Sequence, residues 1–239
     1  VGEVNIAPVL DPIGSKTVNE ETELRFTISG SDVDVPTQTL VYSATGLPTG
    51  ATFNPLTREF VWTPTEVQGP GSPVVIFSVT DGVVTTSEAV TITVAEVNMA
   101  PVLTLIGPKT VAEGSLLSFT ISASDADFPT QTLTYSATPL PPGATFTPAT
   151  RAFSWTPTEA DGPSAPVVTF SVSDGVVTTS EAVTITVTEV NVAPVLTAIG
   201  PKTVNELTEL RFTISATDVD QPTQTLVYSA PGLPTGATF

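Results

Sequence analysis

A chain of 239 residues with 24 acids, 7 bases and neither histidine nor cysteine carries a formal net charge of −17. The missing imidazoles and thiols remove Ser/His/Asp and Cys/His nucleophile systems and His- or thiolate-held zinc. The negative charge argues against nucleic acid and anionic membranes, which both require a positive surface. The partners left are cations, neutral glycans and other proteins. With 40% hydrophobic residues, folded cores are expected despite the 23 prolines. No run approaches the 18 or more apolar residues of a membrane span, and no basic start followed by an apolar block marks a signal peptide. Cysteine content alone does not decide the compartment.

Taken in chain order, residues 1–4 read as the tail of a preceding repeat, and Val4-Asn5-Ile6-Ala7-Pro8-Val9-Leu10 opens a unit that begins again at Val97 and at Val190. Asn5, Asn98 and Asn191 are 93 residues apart, as are Asp32, Asp125 and Asp218, and as are Trp62 and Trp155. The chain therefore divides into 5–97, 98–190 and the N-terminal half of a third copy, 191–239. A period of this length is a self-contained domain rather than a solenoid turn. The third copy has no counterparts of Phe153-Ser154-Trp155, of Val168 and Phe170, or of Val183, Ile185 and Val187. It is expected to be a window on a longer periodic array, which the tail-like residues 1–4 favour, or to be completed by the start of a neighbouring molecule in a fibre.

Within the first unit, Leu24, Phe26 and Ile28 alternate with Arg25, Thr27 and Ser29, and Val90, Ile92 and Val94 alternate with Thr91 and Thr93. This is the period-2 pattern of half-buried strands, and no stretch carries a helical period. Turn residues at Asp34-Val35-Pro36, Gly46 to Gly50, Thr63-Pro64 and Asp81-Gly82 cut the unit into about seven strands. The fold class is all-β: tandem seven-strand Greek-key sandwiches of the Ig or cadherin type. A lone Trp in the apolar run Phe60-Val61-Trp62 is assigned to the core between the sheets, as is Trp155, rather than to a sugar platform. Thr on the outward positions suits an exposed sheet face. No Asn-x-Ser/Thr sequon occurs.

The acids recur in the same register. In a Greek-key sandwich with termini at opposite ends, the Asp125-x-Asp127 and Asp174-Gly175 loops lie at the N-terminal end of the second unit. Glu20 and Glu66 lie at the opposite end of the first, and Glu96-Val97-Asn98 runs between. Glu20, Glu66, Glu96, Asn98, Asp125, Asp127 and Asp174 thus converge on one junction. Glu113, Glu159, Glu189, Asn191, Asp218 and Asp220 repeat the set at the next. An all-oxygen cluster of this size matches Ca²⁺, which takes six to eight oxygens, better than Mg²⁺.

The Asn-x-Ala-Pro linker, Asp-x-Asp after the second strand, Asp-Gly before the last strand and closing Val-Thr-Ile-Thr-Val resemble the cadherin superfamily. Leu47-Pro48-Thr49-Gly50-Ala51-Thr52-Phe53 followed by Trp62-Thr63-Pro64-Thr65-Glu66 resembles more closely the bacterial cadherin-like, dystroglycan-type and "putative Ig" repeats of large surface proteins. The resemblance covers the whole chain. It implies calcium between successive domains, with Glu20 as the acid of the first strand, Asp125 and Asp127 as the Asp-x-Asp pair, Asp174 as the later aspartate and Asn98 as the linker asparagine. Two segments differ from cadherins: the linker Glu96-Val97-Asn98 has fewer aspartates, and Thr63-Pro64-Thr65-Glu66 stands in place of Leu-Asp-Arg-Glu. Fewer acids imply one or two ions at each junction.

These readings point to a non-enzymatic structural or adhesive array at the cell surface or outside the cell, stiffened by calcium, with neighbouring repeats or further copies as partners and glycans as a second partner class. A calcium-dependent carbohydrate-binding module of a secreted polysaccharide-degrading protein is the alternative, and it would require an exposed aromatic platform. A glycosidase built on carboxylate pairs fits poorly with the same pairs recurring in every unit.

Overall fold

The computed structural model describes residues 4–239, so the expected tail at 1–4 lies outside the described residues except for Val4. The chain forms two compact units, Val1–Ala100 with Asp125–Thr132, and Pro101–Ser124 with Leu133–Phe239.

In the first unit, seven principal strands form two sheets. One contains β2 (Lys16–Asn19), β9 (Thr85–Ala95), β8 (Val74–Thr80) and β5 (Val41–Thr45), in that spatial order. The other contains β3 (Leu24–Thr27), β7 (Glu59–Trp62) and β6 (Thr52–Asn54). All neighbours are antiparallel except β2, which runs parallel to β9 with Val18 opposite Val94. A two-residue antiparallel pair, β1 (Val9–Leu10) with β4 (Gly30–Ser31), is added to this plan. The expected alternation is realised on β9, where Val90, Ile92 and Val94 are buried and the threonines between them face outward.

Between the sheets, the Phe77 ring meets Phe26, Phe53 and Phe60 in edge-on contacts with centroids 5.6–5.7 Å apart, the geometry aromatic quadrupoles favour. Trp62 is 1% exposed, and its indole N–H donates to the Thr49 carbonyl at 3.1 Å. A buried indole needs such a partner, so the turn before β6 is fixed by a core residue.

The second unit repeats the plan: β11 (Lys109–Ala112), β18 (Thr178–Thr188), β17 (Val167–Ser173) and β14 (Thr134–Thr138) in one sheet, β12 (Leu117–Thr120), β16 (Ala152–Trp155) and β15 (Thr145–Thr147) in the other. The added pair is β10 (Val102–Leu103) with β13 (Ala123–Ser124). Trp155 is 2% exposed and donates to the Pro142 carbonyl at 3.0 Å.

In the third copy, only β19 (Val195–Leu196) pairs with β20 (Ala216–Thr217) among the described residues. Leu210 and Phe212 stand exposed there, whereas their counterparts Leu117 and Phe119 pack on the second core. The difference follows from the strands that cover those positions in the complete copies.

Replacing Phe77 by Ala is expected to destabilise the first sandwich by about 3–5 kcal/mol, because four rings share one cluster and cannot collapse around the gap. Val83→Ala, in an exposed turn, should stay within about 0.5 kcal/mol. Urea unfolding of the two variants measures the difference, and equal costs would contradict the assigned core.

Candidate metal centre

At the C-terminal end of the first sandwich, three elements each deliver one carboxylate. Glu20 follows β2, whose pairing with β9 is continued by a hydrogen bond from the Glu20 amide to the Ala95 carbonyl. Glu96 follows β9 directly. Glu66 opens a 3-10 turn, Glu66–Gln68, in which the Gln68 Oε1 accepts the Thr65 amide at 2.9 Å. The Glu66 amide is held by the Glu21 carboxylate at 3.1 Å, and the Glu21 amide donates to the Pro64 carbonyl at 2.7 Å. The turn is therefore clamped to the end of β2.

Glu20, Glu66 and Glu96 each bring an oxygen to within 4.8 Å of the others. Glu20 is only 3% exposed. Its Oε1 accepts the Val97 amide at 2.7 Å, and its Oε2 has no hydrogen-bond partner in the protein. Both carboxylate oxygens of Glu96 are likewise shut away from solvent without a donor. Burial, and after it the charges of Glu20, Glu66 and Asp127, push the Glu96 carboxyl above its ordinary range. Carboxylates normally satisfy themselves on backbone amides or cations when buried. Among the described residues no cationic side chain forms an ion pair with Glu20, Glu66 or Glu96, and the donor set is entirely hard oxygen, the ligand type that calcium takes.

The remaining candidates at this junction serve the linker. Asp127, buried, accepts the Met99 amide at 2.9 and 3.2 Å and the Gln131 side chain at 3.0 Å. Asp125 Oδ1 accepts the Asp127 amide at 3.1 Å, and Asn98 Oδ1 accepts from Gln131 at 3.0 Å. Glu66 Oε1 accepts the Phe128 amide at 2.8 Å. Thus Val97 is fastened to Glu20 and Met99 to Asp127, which fixes both sides of Asn98. Asp174 belongs to the second unit, where its Oδ1 accepts the Val176 and Val177 amides at 2.6 and 2.7 Å.

The second unit contains the same arrangement. Glu113, Glu159 and Glu189 bring oxygens within 4.8 Å of one another. Glu113, 7% exposed, accepts the Val190 amide through Oε1 at 2.9 Å and leaves Oε2 without a partner. Glu159 accepts the Gln221 amide at 2.8 Å, and Asp220 accepts the Val192 amide at 3.0 and 3.1 Å. Asp218 holds the Asp220 amide at 3.1 Å, and Asn191 accepts from Gln224 at 3.2 Å. Glu189 is raised by burial first and then by Glu113, Glu159 and Asp220.

A further cluster, Asp32, Asp34 and Asp81, lies at the N-terminal end of the first unit. Asp34 accepts the Ile6 amide at 3.0 Å, and Asn5 donates to Asp81 at 2.9 Å. These residues were not among the expected ligands. Their 93-residue offset from Asp125, Asp127 and Asp174 is the signal that could have found them.

The sequence model of one domain family, described as Putative Ig domain, matches residues 7–95 and again 100–188. The chain belongs to that family. Putative Ig domains are all-β modules, and this chain carries two complete ones in tandem. Curated proteins give no match. Among solved structures, human Protocadherin-24 EC1-2 is 16% identical with a TM-score of 0.43, covering 77% of this chain and 99% of that one. The titin domains Z1Z2 in complex with telethonin are 13% identical with a TM-score of 0.40, covering 77% and 98%. An endo-fucoidan hydrolase of glycoside hydrolase family 107 is 19% identical with a TM-score of 0.34; the matched region is 75% of this chain and 28% of the hydrolase. No helix among the described residues is long and apolar enough to cross a membrane.

The raised carboxyls carry a pH signature. A glutamate whose folded pKa lies above its unfolded value near 4.5 stabilises the fold below that value, and the stabilisation is lost as pH rises through the folded pKa. In chelator, the wild-type chain should therefore lose melting temperature as pH climbs from about 4.5, and Glu96→Gln with Glu189→Gln should flatten that loss. Superimposable pH profiles for the two proteins would contradict the buried-carboxylate geometry.

Proposed function

We propose that the chain is a segment of an extracellular structural or adhesive array whose junctions are made rigid by calcium. The observation that carries the proposal is the Glu20 carboxylate, buried with one oxygen on a linker amide and the other, without a donor, beside Glu96 and Glu66. Such a group costs free energy unless a proton or a cation arrives. A calcium ion would supply charge neutralisation and oxygen coordination there. Glu20 through Oε2, Glu96 and Glu66 would hold it in the first unit, and Glu113, Glu189 and Glu159 in the second.

The protein's own residues do the mechanical part. Glu20 and Asp127 hold the Val97 and Met99 amides, two residues apart in the linker, so the path out of β9 depends on carboxylate positions. Glu66 joins the 3-10 turn to the Phe128 amide. Without a cation, repulsion among Glu20, Glu66 and Glu96 opposes this arrangement; with one, the same charges favour it. Each sandwich has a separate apolar core, so calcium should govern the linkers more than the folding of the domains.

Small-angle scattering of the full chain in calcium and in chelator tests this reading. The calcium form should scatter as a longer, stiffer particle, and Asp125→Ala with Asp127→Ala should move the calcium curve part of the way to the chelated one, the second cluster being intact, while keeping the tryptophan fluorescence of folded domains. Identical curves with and without calcium would overturn the proposal.

A further inference from the structure

We infer that Gly69 and Gly162 are positioning residues of the two carboxylate clusters: each is a glycine because a side chain there would displace the buried glutamate that the proposed cation needs. The inference rests on the calcium reading and deepens it.

Glycine is required where φ is positive or where another group approaches the backbone closely. The first reason does not apply. Gly69 has φ −103° and ψ 148°, and Gly162 has φ −104° and ψ 149°, an extended conformation that any residue adopts. An alanine at either position would by itself stabilise the fold by restricting the unfolded chain. The second reason applies at both. A Cβ on Gly69 would lie 2.0 Å from Glu20 Oε2 and 3.1 Å from its carboxyl carbon. A Cβ on Gly162 would lie 2.1 Å from Glu113 Oε2 and 3.2 Å from its carboxyl carbon. The atom met in each case is the oxygen without a hydrogen-bond partner, on a glutamate more than nine-tenths buried.

The backbone cannot retreat to make room. Gly69 donates to the Glu66 carbonyl at 3.3 Å on one side. Two residues on, Gly71 and Val94 exchange hydrogen bonds of 2.8 and 3.2 Å at the end of β9. Gly162 is followed by the equivalent bridge between Ser164 and Val187, with bonds of 2.8 and 3.3 Å. The displacement must fall on the glutamate. Its Oε1 is anchored on the linker amide, so turning the carboxylate away from the new methyl also loosens Val97 in the first unit or Val190 in the second. The Thr-Pro-Thr-Glu segment and the glycine three residues after its glutamate therefore form one device: Glu66 and Glu159 enter the clusters, and Gly69 and Gly162 leave space for their partners.

Calcium titration by calorimetry on the full 239-residue chain tests the inference, using wild type, Gly69→Ala, Gly162→Ala and Gly69→Ala combined with Glu20→Ala. Gly69→Ala should weaken binding at the first cluster by about 10–100-fold, the range expected when support for a ligand is lost, and leave the second cluster as in wild type. Gly162→Ala should do the reverse. In chelator, Gly69→Ala should melt no lower than wild type; if it does melt lower, Glu20→Ala in the same background should restore the transition, because the clash is with that carboxylate. Wild-type affinity in both glycine variants would overturn the inference and leave the calcium reading standing. A lowered transition that Glu20→Ala does not restore would also overturn it. A wild-type chain that binds no calcium would bring down both.

Discussion

The Glu20 carboxylate, buried at the end of the first sandwich between the Val97 amide and the Glu96 carboxylate, is the interaction on which the junction depends. A carboxylate removed from water keeps its charge only where donors or cations replace the lost hydration. One oxygen of Glu20 has such a donor and the other has none. Around that second oxygen the protein places further acids rather than a lysine or arginine. The linker path, the clamped 3-10 turn and the absence of a side chain at Gly69 all follow from keeping this group where it is.

The interior of each sandwich is independent of that arrangement. Four phenylalanine rings and a tryptophan hold the sheets together in each complete copy, and the two cores have no residue in common. The cores and the linker amides are thus held by different residues, apolar inside and acidic at the ends.

The strands were readable because period-2 alternation on β9 and β18, and the aromatic run before Trp62 and Trp155, are local signals of burial. The 93-residue register was equally plain, and with it the recurrence of the acids. Their roles were not. Glu88 and Glu181, which the sequence does not distinguish from other surface acids, each accept two consecutive amides, Ile13 with Gly14 and Ile106 with Gly107. Asp127 and Asp220, expected as ligands, also hold linker amides, a role that their spacing does not announce. Whether a carboxylate faces an amide or another carboxylate depends on which backbone N–H groups the sheets leave unpaired, and residue type and spacing do not encode that. Gly69 was unreadable for the same reason, since a glycine before proline ordinarily marks only a turn.

Electron density at the Glu20, Glu66 and Glu96 carboxylates in crystals grown with calcium tests the central claim most directly. The account predicts an anomalous peak bonded to Glu20 Oε2 and to Glu96 at about 2.3–2.6 Å, completed to six or more oxygens. A direct, short hydrogen bond between Glu20 and Glu96 with no metal peak in millimolar calcium would contradict it.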